Sequence, residues 1–409
     1  MSSILITNIG ELTTVDGEDR VLRGAAVVLD GERIAWVGAA AHAPAADAVH
    51  DAEGRAALPG WVDSHTHLVF AGDRTAEFEA RMAGDAYAAG GIAVTTGATR
   101  GASDYELTRL VLGRAAEAAA GGTTYLETKT GYGLDVDEEA RHARIASTVV
   151  DEVTYLGAHL VPPGADADSY TDLVCGAMLD AVRPHVRWAD VFCERGAFTE
   201  EQSRRVLAAC RDAGLGLRVH GNQLGPGPGV RLAVEFGAAS VDHVNYLDDP
   251  DIELLAGSWA GWRPSDRTGD PGTVATCLPA CDLSTRQPLA PGRRLLDAGI
   301  PVALASNCNP GTSYTSSMAF CVTTAVLQMG LSVAEAVRAA TWGGALALRR
   351  HAGEDRDGAR AIGSIAVGHR ADLQLLNAPG ATHLAYRPGM PLTHAVWRAG
   401  RRVVDRNHG

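Results

Sequence analysis

The sequence lacks several features that mark special classes of protein. Its 409 residues include a single lysine, Lys129, and only 5% aromatic residues. No segment approaches the roughly 18 continuous apolar residues of a transmembrane helix. The first residues also lack the basic segment and apolar core of a secretory signal. We therefore expect a cytoplasmic protein that does not associate with membranes.

Positive charge is also scarce. The chain has 36 lysines and arginines against 49 aspartates and glutamates, which gives a formal net charge of −13. This balance disfavours binding to phosphate backbones or anionic lipids. Because 46% of the residues are hydrophobic and 21% are charged, the composition is that of an ordinary globular protein. A small molecule is the expected partner, and nucleic acid is not.

The cysteines match neither a disulfide framework nor a structural zinc site. There are seven, an odd number, and they are scattered along the chain. Cys277 and Cys281 form one C-x3-C pair with no second pair to complete four ligands. We interpret the cysteines as buried thiols.

Between residues 58 and 350 the sequence alternates apolar strands, polar loops and amphipathic helices. The predicted strands are residues 61–67, 122–129, 153–160, 186–194, 215–221, 240–245, 273–280 and 300–307. Repeated βα units with almost continuously apolar strands favour a parallel sheet covered by helices, and eight units favour an α/β fold of the (β/α)8 TIM-barrel type. A doubly wound open sheet is the alternative, but no glycine-rich turn follows a first strand.

Short β-like segments with turn signals lie on both sides of this region. We predict that residues 1–57 and 351–409 together form a small β-sandwich domain beside a barrel domain at 58–350. Residues 258–272, rich in Gly, Pro and Trp, interrupt the repeat. This segment is expected to be a surface insertion on the N-terminal face of the barrel, away from the chemistry.

Polar residues end the predicted strands, at the face where barrels of this type carry their chemistry. His65 and His67 flank Thr66, and strand alternation predicts that both imidazoles face the interior. Converging imidazole nitrogens suit zinc or another first-row metal, whereas hydrogen-bonded core histidines are the alternative. The predicted polar ring contains His65, His67, Lys129, His159, Glu194, His220, His243 and Asn307.

Eight motifs in a fixed order carry a family resemblance. They are LPGWVDSHTH, LVFAGDR, ETKTGYGLD, TYLGAHLVPP, DVFCERGAF, RVHGNQL, VDHVNY and SNCNPGTS. In this order they resemble the motifs of the imidazolonepropionase family in the metal-dependent amidohydrolase superfamily. The resemblance covers nearly the whole barrel and extends to the segment GSIAVGHRADLQLLN near the C-terminus.

The resemblance implies hydrolysis of 4-imidazolone-5-propanoate to N-formimidoyl-L-glutamate in histidine degradation. It also implies one Zn²⁺ or Fe³⁺ ion per subunit and makes a homodimer possible. Residues at the family's metal-binding positions are His65, His67, His220 and Asn307. Residues at its substrate-binding positions are Arg74 for the propionate, Tyr132, His159 and Gln223 for the imidazolone, and Asn309, Gly311 and Thr312 at the other end. His243 has the place of a histidine beside the metal.

Two positions depart from the family pattern, which has an aspartate where this chain has Asn307 and a glutamate where it has Gln223. An amide cannot take a proton from water at neutral pH, so the general base must be another group. His243 is the first choice because histidine titrates near neutrality, and His159 is the second. Asp242 is a poor candidate, since alternation turns it away from the face of His243. Solvent could also accept the proton.

Four assignments stay open at this point. A carbamylated Lys129 could supply a bridging ligand, and Glu194 could serve either catalysis or an ion pair with Arg195. The enzyme could act on another small cyclic amide or a heteroaromatic amine, because a barrel fold alone does not choose a substrate. Without the two carboxylates, the chain could also be a catalytically impaired homologue that only binds its ligand.

Overall fold

A computed structural model of the protein describes residues 3–84, 91–263, 267–353 and 359–405. The strands are β1 (Ser3–Thr13), β2 (Val21–Asp30), β3 (Arg33–Ala39), β4 (Ala48–Asp51), β5 (Ala56–Pro59), β6 (Trp61–Asp63), β7 (Thr123–Lys129), β8 (Glu152–Ala158), β9 (Trp188–Cys193), β10 (Gly216–Gly221), β11 (Ser240–His243), β12 (Trp262–Arg263), β13 (Thr268–Gly269), β14 (Val274–Cys277), β15 (Val302–Leu304), β16 (Leu373–Leu376), β17 (Thr393–Arg398) and β18 (Arg401–Asp405).

The helices lie mostly between the parallel strands. They are α1 (Thr75–Ala83), α2 (Ile92–Gly101), α3 (Asp104–Ala120), α4 (Val136–Ser147), α5 (Ala167–Leu173), α6 (Leu179–Val182), α7 (Glu200–Asp212), α8 (Gly229–Glu235), α9 (Asp249–Gly257), α10 (Pro279–Thr285), α11 (Gly292–Asp297), α12 (Met318–Gln328), α13 (Val333–Arg338), α14 (Gly344–Ala347) and α15 (His383–Tyr386). Side-chain caps fix several of their starts: Thr199 and Ser332 each form a complete capping box.

Eight parallel strands form the barrel. They pair in the order β6, β7, β8, β9, β10, β11, β14 and β15. Ser306, after the last strand, donates hydrogen bonds from its backbone N–H and its hydroxyl to Asp63 of β6 at 3.0 and 2.5 Å. The backbone N–H of Asn307 donates to the carbonyl oxygen of His65 at 2.9 Å. These bonds join the first and last βα units, so the predicted (β/α)8 architecture is confirmed.

The two chain ends form a second sheet. Its strand order is β18, β17, β16, β5, β1, β2 and β3, with β4 beside β1. Strand β16 pairs antiparallel with β5, which brings the N-terminal and C-terminal segments together as predicted. Strand β5 crosses the predicted boundary at residues 57 and 58, and the barrel begins at Trp61. The exact domain limits remain a prediction.

The interruption at residues 258–272 is more than a surface insertion. Strands β12 and β13 form a short antiparallel pair, and residues 264–266 lie outside the described residues. Trp262 is buried against Trp342, with ring centroids 6.5 Å apart. Arg267 donates to the carbonyl oxygen of Val15 at 2.9 Å. The segment therefore packs between the barrel and the terminal sheet, because its tryptophans bury apolar area that a solvated loop would leave exposed.

Among the described residues, no helix combines the length and the apolar character needed to cross a bilayer. The seven cysteines are free thiols, and all except Cys175 are buried.

Candidate active site

Four histidines meet at the carboxyl-terminal end of the barrel strands. His65 and His67 follow β6, His220 lies in β10, and His243 is the last residue of β11. The Nε2 atoms of His65 and His67 are 3.3 Å apart, and the ring centroids of His65 and His220 are 4.5 Å apart. Ligand nitrogens of His65, His220 and His243 lie within 4.8 Å of one another. The structure thus brings together three predicted metal ligands and the predicted base.

Two buried carboxylates orient this cluster. The Nδ1 atom of His65 donates to Oδ2 of Asp242 at 2.6 Å, and that of His220 donates to Oδ2 of Asp190 at 3.0 Å. Because each Nδ1 carries the donated proton, the lone pair of each Nε2 is left for a cation. Burial, which disfavours the charged imidazolium, lowers the pKa of His65 well below its usual value.

The structure corrects the sequence argument about Asp242. Strand alternation predicts that Asp242 and His243 face opposite sides, yet both side chains lie at the site. The reason is local backbone geometry, since His243 has φ of 84° and Val244 has φ of 51°. These left-handed conformations end the strand and interrupt the period of two. Asp242 therefore lies beside the histidine cluster as the acceptor for Nδ1 of His65.

A buried ion network lies next to the histidines. The Nζ atom of Lys129 is 3.0 Å from Glu127, 3.1 Å from Asp190 and 4.0 Å from Asp242. Arg218 donates to Asp242 at 3.0 Å. Burial opposes ionisation of Asp242, but the charge of Arg218 and the hydrogen bond from His65 hold its pKa well below the usual value. A carbamate on Lys129 would put a fourth negative charge among three carboxylates, so the bridging-ligand alternative does not fit this environment.

The two amides that depart from the family pattern both reach the site. Asn307 has φ of 52°, and its Oδ1 is buried without a hydrogen-bond partner among the described residues. The side-chain nitrogen of Gln223 lies 3.9 Å from Sγ of Cys281. Glu194 accepts a hydrogen bond from the backbone N–H of Gln223 at 2.5 Å. Glu194 therefore holds the Gln223 loop in place, and Arg195 donates to Leu224 in the same loop at 3.1 Å.

An inner cavity of about 30 Å³ lies over the histidine cluster. This volume holds only about one or two water molecules, so substrate entry requires the site to widen. Its lining residues are His67, Arg74, Ile92, Tyr132, His159, Phe192, His220, Gln223, His243, Asn307, Asn309 and Thr312. Of the residues predicted to bind metal or substrate or to act in catalysis, only His65 and Gly311 are absent from this lining, and Nε2 of His65 lies 3.3 Å from Nε2 of His67.

Arg74 separates the inner cavity from an outer one. It lines both the inner cavity and an outer cavity of about 530 Å³. The guanidinium is buried, with its side chain only 3% exposed. Gly311 lies beside it, since a Cβ at this position would lie 2.1 Å from Nη1 of Arg74. Gly311 thus makes room for Arg74.

Asn309 and Thr312 shape the loop that follows β15. Nδ2 of Asn309 donates to the carbonyl oxygen of Asn307 and to Oγ1 of Thr312, both at 2.7 Å. Its Oδ1 accepts hydrogen bonds from the backbone N–H groups of Gly311 and Thr312 at 2.8 Å. These bonds form the side-chain turn typical of asparagine and fix the loop against the cavity.

His159 and Tyr132 form an aromatic wall. The ring of His159 stacks on that of His67, with centroids 5.5 Å apart and an interplanar angle of 21°. Burial lowers the pKa of His159 to about 4, so its imidazole is neutral at pH 7. Nδ1 of His159 donates to the carbonyl oxygen of Gly131 at 2.8 Å, which leaves Nε2 as an acceptor. Tyr132 lies 5.4 Å from His159 between ring centroids.

Sequence reasoning missed the residues that support the histidines: Glu127, Asp190 and Arg218, together with the role of Asp242. A signal was present, because charged residues inside apolar barrel strands are buried and therefore need partners. Two of them, Asp190 and Arg218, lie in the middle of β9 and β10.

Comparisons with known proteins identify the relatives of this chain. A model of the amidohydrolase family matches residues 192–403. The imidazolonepropionase of Arthrobacter sp. (strain FB24) is 80% identical over 98% of this chain and 100% of its own length. That of Paenarthrobacter aurescens (strain TC1) is 77% identical over 98% of both chains.

Solved structures with low sequence identity share the fold. The atrazine chlorohydrolase TrzN from Arthrobacter aurescens TC1, complexed with zinc, superposes with a TM-score of 0.72 at 20% identity over 98% of this chain and 95% of that chain. An adenosine deaminase from Xanthomonas campestris with bound zinc gives a TM-score of 0.69 at 20% identity over 98% and 93%. With its close relatives matched over nearly their full lengths, the chain belongs to the imidazolonepropionase family of amidohydrolases.

Proposed function

We propose that the chain hydrolyses 4-imidazolone-5-propanoate to N-formimidoyl-L-glutamate, the step in histidine degradation that opens the imidazolone ring. The observation that carries the proposal is the inner cavity, whose walls combine an imidazole cluster suited to a cation with an arginine suited to a carboxylate. A substrate with an amide ring at one end and a propionate at the other matches these two ends.

The residues present fit one metal ion. His65, His67 and His220 would hold it through imidazole nitrogens, with the unpartnered Oδ1 of Asn307 as a weak fourth ligand. These donors are neutral, but Glu127, Asp190 and Asp242 outnumber Lys129 and Arg218 in the adjacent network, so its formal charge is negative. That charge supplies part of the attraction that an aspartate at position 307 would give.

Either Zn²⁺ or Fe³⁺ suits such a site, one ion per subunit. A bound metal polarises the carbonyl oxygen under attack and lowers the pKa of water from 15.7 towards about 7. The zinc in two structures that share the fold is consistent with this assignment.

The protein's own groups position the substrate. Arg74 binds the propionate, and its burial strengthens the charge-assisted hydrogen bonds. The Nε2 atom of His159 accepts a hydrogen bond from an imidazolone N–H. Tyr132, the other member of the aromatic wall, packs against the imidazolone ring. Asn309 and Thr312 limit the other side of the cavity.

His243 moves the proton. Its Nδ1 atom is buried without a hydrogen-bond partner among the described residues, and burial lowers its pKa well below the usual value. The imidazole is therefore neutral at pH 7, so it can accept a proton from the attacking water and return it to the departing ring nitrogen. The lowered pKa makes it a weaker base than the near-neutral histidine that the sequence argument assumed. Gln223 cannot do so, but its amide can donate to the carbonyl oxygen and hold the ring for attack.

The direct test is turnover by purified, metal-loaded protein. We expect loss of imidazolone absorbance together with stoichiometric formation of N-formimidoyl-L-glutamate, and a large loss of kcat in His243→Gln. Tight binding of the substrate by calorimetry without product would instead establish the ligand-binding homologue. Turnover of a different cyclic amide, with no effect of Arg74→Ala on its KM, would favour another amidohydrolase activity.

A further inference from the structure

Glu77 forms a two-point contact with Arg74. The Nε and Nη2 atoms of Arg74 donate to Oε2 and Oε1 of Glu77 at 2.8 and 2.7 Å. We propose that Glu77 is a positioning residue that fixes the Arg74 guanidinium so that one edge faces the substrate carboxylate. This inference rests on the proposed function, in which Arg74 binds the propionate.

The geometry of the guanidinium group carries the argument. Its planar fork offers two edges for bidentate binding, one made by Nε with a terminal nitrogen and one made by the two terminal nitrogens. Glu77 takes the first edge. Among the described residues, Nη1 of Arg74 has no hydrogen-bond partner. The atom also keeps some solvent-accessible surface, so a ligand can reach it. Nη1 and the second proton of Nη2 therefore remain for an incoming carboxylate.

Two glycines let the guanidinium lie in this orientation. A Cβ at Gly311 would lie 2.1 Å from Nη1, and a Cβ at Gly91 would lie 2.1 Å from Nη2 and 2.2 Å from Oε2 of Glu77. At both glycines the backbone lies so close to the Arg74–Glu77 ion pair that no side chain would fit, and this close packing confines the pair. A guanidinium confined in this way loses little further freedom when substrate binds.

Arg81 balances the charge. Its Nη1 atom lies 3.3 Å from Oε1 of Glu77, and its side chain is only 2% exposed. A second cation thus lies against Glu77, so the charge of this carboxylate is compensated by Arg81 as well as by Arg74.

The test compares Glu77→Gln with Glu79→Gln, which removes the same charge from an exposed position on the same helix. Binding is measured by calorimetry with imidazole-4-propanoate and with its primary amide. We expect Glu77→Gln to weaken the carboxylate ligand about 10-fold. The amide should bind as it does to the parent protein, and Glu79→Gln should change neither affinity. In turnover assays, KM should rise while kcat stays within about twofold.

A double-mutant cycle separates this inference from the proposed function. In an Arg74→Ala background, Glu77→Gln should have no further effect on the carboxylate ligand, since Glu77 acts through Arg74. An unchanged or tighter affinity in Glu77→Gln alone, with Arg74→Ala strongly weakened, overturns the positioning role and leaves the proposed function intact. If Arg74→Ala itself binds the carboxylate normally, both the carboxylate site and the role of Glu77 are overturned.

Discussion

The imidazole of His65 donates from Nδ1 to Oδ2 of Asp242 at 2.6 Å, and Arg218 donates to the same oxygen at 3.0 Å. Asp242 therefore connects a candidate metal ligand to the buried ion network. It fixes both the tautomer and the direction of the His65 ring.

Replacing Asp242 with Asn should weaken metal binding. An asparagine can still accept from His65, but it lacks the charge that favours a nearby cation. We expect affinity for Zn²⁺ to fall about 10-fold to 100-fold, as measured by competition with a chromogenic chelator. Asp249→Asn, at an exposed helix start, is the control and should bind metal normally. Equal affinities in both variants would contradict the orienting role.

Replacing Lys129 with Met should destabilise the fold. Glu127, Asp190 and Asp242 would then share a buried region with only Arg218 as a cation. Removing one partner from a buried ion pair costs about 3–5 kcal/mol in the free energy of unfolding. Urea denaturation measures this loss. Arg204→Met removes a surface cation paired with Glu235 and should cost about 1 kcal/mol or less. A Lys129 variant as stable as the Arg204 variant would refute the prediction.

Replacing Asn307 with Asp should strengthen metal binding. The substitution puts an anionic oxygen where the unpartnered Oδ1 of Asn307 now lies. We expect the affinity to rise about tenfold or more, because an ionic ligand adds Coulomb attraction in a buried site. The same chelator competition measures it, with Asn377→Asp, at an exposed position, as the control that should bind metal as the parent protein does. No gain in Asn307→Asp would show that residue 307 lies outside the ligand set.

Replacing Gly311 with Ala should impair substrate binding. The new Cβ would meet Nη1 of Arg74 at 2.1 Å and force the guanidinium to shift. We expect KM to rise about 10-fold or more while thermal stability changes little. Gly97→Ala is the control, since a Cβ there meets nothing within 4 Å. A normal KM in Gly311→Ala would indicate that Arg74 does not bind the substrate in this orientation.

Burial of His142, which does not line the inner cavity, predicts a loss of stability in acid. Burial, assisted by the charge of Arg141, lowers the pKa of His142 to about 4 from the usual 6.5. The unfolded chain therefore binds a proton that the folded chain does not between these pH values, and stability falls as pH falls from 6.5 towards 4. When the pH falls from 7.5 to 5, His142 lowers the free energy of unfolding by about 2 kcal/mol.

Urea denaturation of His142→Leu at both pH values tests the effect. The variant should lose about 2 kcal/mol less than the parent protein on acidification. A parallel loss in both proteins would assign the acid sensitivity to other groups.

The architecture could be read from the sequence because strand and helix periods repeat regularly. All eight predicted barrel strands are confirmed, including the one that contains His220. The pairing of the two termini also follows from their alternating patterns, and β16 does pair with β5. The prediction for the first strand is too long, because β6 ends at Asp63 and His65 and His67 lie in the segment beyond it.

The site was predicted only as far as motifs and strand ends could indicate it. Most predicted residues line one cavity, but their roles remain proposals. Alternation failed at Asp242 because it assumes extended backbone, whereas His243 is left-handed. The pairing of Glu77 with Arg74 is a local i,i+3 contact at the start of α1, and sequence spacing alone does not separate it from an ordinary surface pair.

Lys129 is the only lysine in the chain, and its side chain is completely buried. An amine-directed reagent therefore cannot reach it while the barrel is closed. Acylation of Lys129 in solution therefore requires transient opening of the barrel interior. No other lysine side chain contributes to the measured acylation.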